Sequence, residues 1–269
     1  MSKRWYQENR RDPWRRQAKS KGYRARSAYK LKQIQERFDI IRKGDYVLDI
    51  GCHPGGWTQV AVEEVGEDGY VIGVDLLSTS PVEGATIFIG DITNPKTIEQ
   101  INQELEGYYL NCVISDISPR LTGRYDTDQA ISLELSTMVL DAAMPILNPG
   151  GSFVTKIFQG VGIEGLIEAA KMRFSSVQRY APTASRSSSS ETYLVCRNKL
   201  PKIRKEAEGR TAYEYLKDHL KGLDIVVDKE EEKDNTDTKI GYRKYKSRKD
   251  DNQSFLISEQ TKENIYLNN

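Results

Sequence analysis

Apolar positions between residues 45 and 197 form seven short runs rich in Val and Ile, separated by segments where they recur every three or four residues. Short apolar runs are typical of buried strands, and the wider spacing is typical of amphipathic helices. The predicted strands are residues 45–50, 70–76, 85–92, 110–116, 151–158, 176–181 and 191–197. The predicted helices are residues 57–66, 95–106, 127–147 and 162–173, preceded by one that begins after Ser27.

This alternation predicts an α/β protein with a mostly parallel seven-stranded sheet and helices on both faces. The last two strands have a Ser-rich loop between them instead of a helix, which predicts a hairpin and an antiparallel edge. Pro145 is expected to disturb the end of the helix over 127–147, and residues 148–151 (NPGG) are expected to form a turn.

The pattern changes at both ends of this region, which predicts three parts. Residues 1–25 form a basic arm rich in aromatics, residues 26–199 form the folded domain, and residues 200–269 form a charged extension. For the extension we predict one short helix over residues 210–223 and no strand pattern. The rest is expected to be flexible, because its few apolar residues cannot offset the entropy of ordering the chain.

Charge is balanced overall, with 40 Lys and Arg against 39 Asp and Glu, so the net charge says nothing about partners. Its distribution is informative, because the first 32 residues contain twelve Lys or Arg but only Glu8 and Asp12 as acids. Trp and Tyr residues lie among these cations. Since cations bind phosphates and rings stack on bases, the segment is predicted to bind nucleic acid, with a solvated arm as the alternative.

The three cysteines, Cys52, Cys112 and Cys196, are odd in number and share no CxxC spacing, which argues against a disulfide framework or a zinc site. No segment is apolar enough to span a bilayer or to serve as a signal peptide. We therefore expect a soluble, cytoplasmic, monomeric protein with reduced thiols, no metal and no membrane contact.

A glycine-containing loop, residues 49–57 (DIGCHPGGW), follows the first predicted strand. Ligands of open parallel sheets bind beyond the carboxyl ends of the strands, so this loop is predicted to lie in the ligand crevice. Its glycines lack the GxGxxG spacing of a dinucleotide-binding fold. Cys52 and His53 are not expected to do chemistry, because adjacent side chains on a tight loop point in different directions.

Three aspartates, Asp75, Asp91 and Asp116, each end a predicted strand and would line one crevice. Such residues are often turn formers. However, Asp75 lies 24 residues after Gly51, where an acid usually accepts hydrogen bonds from ribose. Three acids in order behind a glycine loop favour a positively charged nucleoside cofactor. S-adenosylmethionine fits, because it carries a sulfonium and an amino group and has no phosphate.

Lys156 lies near the carboxyl end of the apolar strand FVTKIF. A buried lysine is costly unless it is paired, although a lysine on an edge strand can reach solvent. Three charged residues are predicted to lie close to it: Asp116 at the end of another strand, Lys30 on the helix before the domain, and Glu191 at the start of the last strand.

Five segments resemble, in order, the motifs of the FtsJ/RrmJ family: RARSAYKL (24–31), LDIGCHPGGW (48–57), SDISP (115–119), TKIFQG (155–160) and SRSSSSETY (185–193). The resemblance spans about residues 20–198. It implies a Rossmann-like methyltransferase fold and an S-adenosylmethionine-dependent ribose 2′-O-methyltransferase. The family's Lys-Asp-Lys-Glu tetrad falls on Lys30, Asp116, Lys156 and Glu191.

The same resemblance implies cofactor contacts for Gly51, Gly55, Trp57, Asp75, Asp91 and Asp116. Among these, Asp75 would bind the ribose and Asp91 the adenine. Lys156 would take the proton of the 2′-hydroxyl, which Asp116 would orient, while Lys30 and Glu191 would hold the ribose and Lys156. Burial and the charge of Lys30 should lower the pKa of Lys156, and the two acids should raise it.

The implied substrate is RNA, most directly a uridine of large-subunit ribosomal RNA. Transfer RNA and mRNA-cap enzymes share the tetrad and stay open as alternatives, as does a non-catalytic RNA-binding factor of ribosome assembly. The glycine spacing disfavours a nicotinamide dehydrogenase. The chain departs from the family at Cys52 and His53, where small residues are usual. Archaeal relatives often carry a C-terminal RNA-binding barrel, but residues 200–269 show no such strand pattern, so RNA docking is assigned to the arm and to Arg120, Arg124 and Arg186.

Overall fold

A computed structural model describes residues 12–119, 121–186 and 189–223, together with the backbone of residues 225–227 and 245–247. Its centre is a seven-stranded sheet in the order β3-β2-β1-β4-β5-β7-β6. The strands are β1 (Tyr46–Ile50), β2 (Tyr70–Asp75), β3 (Ala85–Ile89), β4 (Leu110–Ser115), β5 (Leu147–Phe158), β6 (Phe174–Tyr180) and β7 (Glu191–Lys199). The first five strands are mutually parallel, and β7 runs antiparallel to both of its neighbours. The mostly parallel sheet with an antiparallel edge is thus confirmed.

Helices cover both faces of this sheet, as predicted. They are α1 (Pro13–Ser20), α2 (Ala28–Phe38), α3 (Gly56–Val65), α4 (Pro95–Glu104), α5 (Tyr125–Ala143), α6 (Ile163–Lys171) and α7 (Ala212–Gly222). Helices α2 and α3 pack on one face of the sheet, and α4 to α7 pack on the other. Successive strand residues point to opposite faces, so the sheet contributes side chains to both of these cores. None of the helices within the described residues is both long enough and apolar enough to span a bilayer.

The expected turn at residues 148–151 is a bulge at the start of β5. Leu110 pairs with Leu147, but Cys112 pairs with Ser152, so β5 carries extra residues that β4 does not match. Gly150 adopts a φ of +83°, a conformation that glycine can take within a bulge, and the strand continues in the same direction after it. The turn prediction was therefore wrong, whereas helix α5 does end at Ala143, before Pro145 as expected.

Helix α1 lies inside the segment predicted to be a basic arm. Its N-cap is Asp12, whose carboxylate accepts hydrogen bonds from the backbone N–H groups of Trp14 (3.0 Å) and Arg15 (3.2 Å). The ring of Trp14 packs 5.2 Å from that of Tyr29 on α2, and Ala18 is buried. Part of the arm is thus packed on the domain, while residues 1–11 lie outside the described residues.

Helix α7 confirms the helix predicted in the charged extension. Its N-terminus is fixed by a capping box between Thr211 and Glu214. Asp141 of α5 also accepts hydrogen bonds from the backbone N–H of Ala212 at 2.6 Å. Two further strands, β8 (Ile225–Val227) and β9 (Tyr245–Ser247), pair where no strand was expected. The remainder of the extension lies outside the described residues.

Candidate active site

Asp116 and Lys156 lie side by side at the carboxyl edge of the sheet. They follow Ser115 and Thr155, which are paired between the parallel strands β4 and β5. The Lys156 ammonium Nζ lies 3.0 Å from Asp116 Oδ1 and donates a hydrogen bond to the backbone oxygen of Asp116 at 2.6 Å. Only 6% of the Lys156 side chain is exposed. The expected partner of the buried lysine is therefore in contact with it.

The other two predicted residues form a second ion pair. Lys30 on α2 places its Nζ atom 2.5 Å from Oε1 of Glu191, and both side chains are nearly buried. Glu191 begins β7 and pairs with Phe158 of β5, two residues after Lys156. The tetrad predicted from sequence is thus assembled from three strands and one helix as two ion pairs.

Tyr193 joins this cluster, although the sequence analysis did not select it. It pairs with Lys156 across the strands and lies on the same face of β7 as Glu191, two residues away. Its hydroxyl donates to Asp116 Oδ1 at 2.7 Å, and its ring stacks on Trp57 with centroids 5.5 Å apart. Burial and the neighbouring carboxylates raise the pKa of Tyr193 well above its usual value, so the hydroxyl stays a donor.

The lysines determine the charge state of both acids. Burial alone would raise the pKa of Asp116, but the charges of Lys156 and Lys30 and the Tyr193 hydrogen bond hold it below its usual value. Burial would likewise raise the pKa of Glu191, and the same two lysines lower it. Both carboxylates are therefore ionised at neutral pH.

The acids at the ends of β2 and β3 have a different environment. Asp75 accepts hydrogen bonds from the backbone N–H groups of His53 (2.9 Å) and Leu77 (2.8 Å). Asp91 accepts from the backbone N–H (2.9 Å) and the hydroxyl (2.7 Å) of Thr93. Both side chains are only half-buried and keep further lone pairs for a ligand at the sheet edge.

Asp49, on β1, is a fully buried carboxylate that the sequence analysis missed. One of its oxygens accepts a hydrogen bond from the Thr58 hydroxyl at 2.7 Å. The other has no hydrogen-bond partner among the described residues. Burial raises the pKa of Asp49 to about 7, and the charges of Asp116 and Asp75 contribute to this rise. The hydrogen bond from Thr58 opposes it.

These acids suit S-adenosylmethionine. Among the described residues, no Lys or Arg forms an ion pair with Asp49, Asp75 or Asp91. A ligand bearing a sulfonium, an ammonium and ribose hydroxyls would supply the missing positive charge and the missing donors. The free oxygen of Asp49 is the buried acceptor that such a ligand could satisfy.

The glycines of the loop at 49–57 are explained first by packing within the protein. Gly51 and Gly55 adopt φ angles of +76° and +107°, in the region that favours glycine. A Cβ atom at Gly51 would also lie 3.1 Å from Cβ of Ile117. Trp57 is 2% exposed, and its indole N–H donates to the Ser27 carbonyl at 2.8 Å. The cofactor contacts expected of Gly51, Gly55 and Trp57 stay predictions.

Cys52 and His53 have ordinary structural contacts. Cys52 is buried, with its sulfur against Gly73, and burial raises the pKa of its thiol. Nδ1 of His53 lies 3.3 Å from the Thr79 hydroxyl. Over the described part of the chain, no three His, Cys, Asp or Glu side chains are grouped as a metal site would need.

Two arginines of the basic N-terminal segment, residues 1–32, bind other parts of the protein. Arg24 donates from Nη1 to the carbonyls of Ser80 (2.5 Å) and Pro54 (3.2 Å) and from Nη2 to the carbonyl of Pro81. Arg26 pairs with Asp12 and donates to a carbonyl of the loop between β6 and β7. Both guanidinium groups thus bind the protein itself and hold loops of the crevice together.

The cations of α1 itself are exposed: Arg15, Arg16 and Lys19. None of them forms an ion pair with another described residue. On the predicted rim of the crevice, Arg120 lies outside the described residues, and Arg124 and Arg186 each have a partner within the protein. Within the described residues, α1 thus carries exposed cations without ion-pair partners, and it packs on α2, the helix of Lys30.

Comparisons with known proteins place the chain among methyltransferases. The family model described as FtsJ-like methyltransferase matches residues 23–199. The ribosomal RNA large subunit methyltransferase E of Methanothrix thermoacetophila is 50% identical over 184 residues, covering 68% of this chain and 71% of that protein. The protein of the same name from Methanobrevibacter smithii is 40% identical over 210 residues, covering 77% and 100%. A solved Plasmodium falciparum chain, described as a ribosomal RNA methyltransferase, is 26% identical with a TM-score of 0.60, covering 67% and 100%.

Proposed function

Since the chain belongs to the FtsJ-like methyltransferase family, we propose that it methylates a ribose 2′-hydroxyl of RNA, in a uridine of the large-subunit ribosomal RNA. Family membership confirms the predicted Rossmann-like methyltransferase fold, the methyltransferase activity and S-adenosylmethionine as the methyl donor. The choice of ribosomal RNA is supported by the names of the relatives, which are ribosomal RNA methyltransferases.

The observation that carries the proposal is the pair of lysine–carboxylate contacts at one point of the sheet edge. An amine has two N–H bonds and one lone pair. Lys156 Nζ has two acceptors on Asp116, at 2.6 and 3.0 Å, so once its ammonium had released one proton, the neutral amine would use both remaining N–H bonds there. Its lone pair would remain for the proton of a substrate hydroxyl. This arrangement suits a general base for an alcohol.

S-adenosylmethionine supplies a methyl group made electrophilic by the positively charged sulfur. The protein holds the acceptor in line with it, and such positioning alone is worth about 7–11 kcal/mol. Asp75 would bind the cofactor ribose, and Asp91 the adenine. Asp116 would orient the 2′-hydroxyl, while the Lys30–Glu191 pair would hold the substrate ribose and keep Lys156 in place.

RNA would dock along α1, beside the active site. Arg15, Arg16 and Lys19 present free positive charge there, and α1 packs through Trp14 on α2, the helix that carries Lys30. Phosphates bound by these cations would place the target nucleotide near the tetrad. Affinity for RNA should then fall steeply with salt, because each neutralised phosphate releases counterions.

The test incubates the protein with labelled S-adenosylmethionine and separate pools of large ribosomal subunits, free ribosomal RNA and transfer RNA. We expect label in the ribosomal RNA. The labelled nucleotide should resist alkaline hydrolysis, because methylation removes the 2′-hydroxyl that attacks the phosphate. Label in transfer RNA alone would overturn the substrate. Label at an alkali-sensitive position would overturn the 2′-O assignment, and no label would favour an assembly factor.

A further inference from the structure

Three exposed apolar side chains lie in the segments that follow β4 and β5, beyond Asp116 and Lys156. Leu121 and Tyr125 follow β4 and are 63% and 52% exposed, and Val161 follows β5 and is 60% exposed. Because β4 and β5 are parallel neighbours, the segments that follow them leave the same edge of the sheet. An isolated exposed apolar residue is normal, but here three lie on the two loops beside the proposed reaction site.

Tyr125 is the most firmly held of the three. Its hydroxyl donates to the carbonyl of Gln159, three residues beyond Lys156. The N–H of Gln159 in turn donates to the carbonyl of Ser190 at 3.0 Å, immediately before Glu191. The ring is therefore connected through the backbone of one residue, Gln159, to the chain that follows Lys156 and to the chain that precedes Glu191.

The second loop is fixed as well. Gln129 of α5 donates from Nε2 to the carbonyl of Val161 at 2.9 Å. A Cβ atom at Gly160 would lie 2.6 Å from Cγ of Gln129, so α5 packs directly on this loop. Both sides of the apolar surface are thus held by α5, whose first residue is Tyr125.

We propose that Tyr125, flanked by Leu121 and Val161, is the platform on which the base of the target nucleotide stacks. The hydroxyl of Tyr125 already has its acceptor, so its exposed surface is available for apolar contact. The ring has little conformational freedom to lose on binding. A ribose presented to Lys156 must come from a nucleotide withdrawn from its neighbours, which leaves an unstacked base that aromatic side chains bind. This inference rests on the proposed function, because it names how the same site holds its RNA.

The occupant follows from where the surface lies. Tyr125 is bonded to Gln159, three residues after Lys156, so a protein partner covering this surface would lie beside the proposed ribose site and hinder the substrate. Stacking is tolerant of base identity, since every base has a π-face. The platform therefore accounts for affinity at the target nucleotide, and selection among bases must come from other contacts.

The experiment compares Tyr125→Ala, Tyr125→Phe and the wild-type protein on the RNA pool that the wild type labels. We expect Tyr125→Ala to lower kcat/KM for RNA about tenfold, within the range of one stacked base, with the Kd for S-adenosylmethionine unchanged. Tyr125→Phe keeps the ring and loses only the bond to Gln159, so it should stay within about twofold of wild type. Tyr109→Ala is the matched control, because that exposed tyrosine precedes β4 at the opposite edge of the sheet.

The other possible results of this experiment would each overturn a specific part of the proposal. Wild-type kinetics for Tyr125→Ala would overturn the platform and leave the proposed function intact. Equal losses in the Ala and Phe variants would show that the Gln159 bond matters and not the ring, which also overturns it. A lost cofactor affinity in Tyr125→Ala would assign the residue to folding of the site. Absence of label with the wild-type protein would overturn the proposed function, and the platform with it.

Discussion

The two halves of the crevice hold their carboxylates in opposite electrostatic environments. On the substrate side, Asp116 and Glu191 each contact a lysine, and the lysines lower the pKa of both acids despite burial. On the cofactor side, Asp49 has no cationic partner among the described residues, and burial raises its pKa to about 7. The same sheet edge therefore carries acids that contact lysines beside β4, β5 and β7, and acids without an ion-pair partner among the described residues beside β1 and β2.

This difference indicates what each half binds. A buried charge is costly unless it has a partner. On the substrate side the proposed ligand is a neutral hydroxyl, which brings no positive charge, and here the protein supplies its own cations. On the cofactor side the positive charge comes with S-adenosylmethionine, and a lysine there would repel it. The distribution of cations thus supports the proposal that the substrate binds beside Asp116 and Glu191 and the cofactor beside Asp49 and Asp75.

The largest expected effect comes from removing the base on the paired side. Lys156→Ala should lower the rate of methyl transfer by about 10²–10⁴-fold, the usual contribution of general base catalysis. Cofactor affinity should change much less than the rate, because Lys156 forms no ion pair with Asp49, Asp75 or Asp91 and can affect the cofactor only through Asp116. Single-turnover transfer of labelled methyl measures the rate, and equilibrium binding of S-adenosylmethionine measures the affinity.

Lys156→Arg is the control for charge alone. An arginine keeps a positive charge beside Asp116 but does not give up its proton in a protein. If Lys156 acts as the base, the Arg variant should be as slow as the Ala variant. Recovery of most of the rate in Lys156→Arg would mean that only the charge matters, and the proposed role of the lysine would be wrong.

The second prediction concerns the stability of the other ion pair. Lys30→Met leaves Glu191 buried without its partner, which should lower the free energy of unfolding by about 3 kcal/mol. The double variant Lys30→Met, Glu191→Gln removes both charges and should recover most of that loss. Urea unfolding of the cofactor-free proteins measures the difference. If the double variant loses as much free energy of unfolding as the two single variants lose together, the interaction between Lys30 and Glu191 does not stabilise the fold.

Much of this site could be predicted from sequence for a physical reason. A charged residue within an apolar strand needs a partner, and that rule identified Lys156 and then its neighbours. The same rule applied to Asp49, within the apolar run before the glycine loop, would have found it as well. Predicting Tyr193 required the alternation of side chains along β7, which places Tyr193 on the same face as Glu191. The partners of Arg24 could not be predicted, because they are backbone carbonyls of distant loops.

The fold was predictable where local pattern decides it. Seven strands and their connecting helices follow from apolar periodicity, since each element must bury one face or both. The position of β7 between β5 and β6 depends on pairing across the sheet, which one strand's sequence does not specify. Helix α1 was missed although Asp12 followed by Pro13 is a helix-start signal, because its basic composition suggested an unstructured arm.

The third prediction concerns pH and tests the unpaired side directly. The pKa of Asp49 is about 7 in the folded protein against 3.8 as its ordinary value. Between these values the folded state binds a proton that the unfolded state does not, so stability falls as pH rises from about 4 to 7. Asp49→Asn removes this term and should be more stable than wild type at pH 8 by about 2–4 kcal/mol, with a smaller difference at pH 5.

Glu191→Gln is the matched control from the paired side and should behave oppositely. The pKa of Glu191 is lowered in the folded state, so its contribution is present above the ordinary value of 4.5 and is lost as pH falls below it. The Gln variant should thus be less stable than wild type at pH 7 and should approach it in acid. Chemical unfolding of cofactor-free protein across pH measures both. The same pH trend in the two variants would contradict the contrast between the subsites.

The smallest effect separates two arginines of the same basic segment. Arg24 binds carbonyls of Pro54, Ser80 and Pro81 and so holds the cofactor loop to the segment after β2, whereas Arg15 is exposed on α1. Arg24→Ala should raise the Kd for S-adenosylmethionine about fivefold, about 1 kcal/mol, because a net hydrogen bond contributes about that much. Arg15→Ala should leave that Kd unchanged and weaken RNA binding, with a smaller salt dependence. If both variants weakened RNA binding alone, Arg24 would belong to the RNA surface and its contacts with the cofactor loop would have no functional consequence.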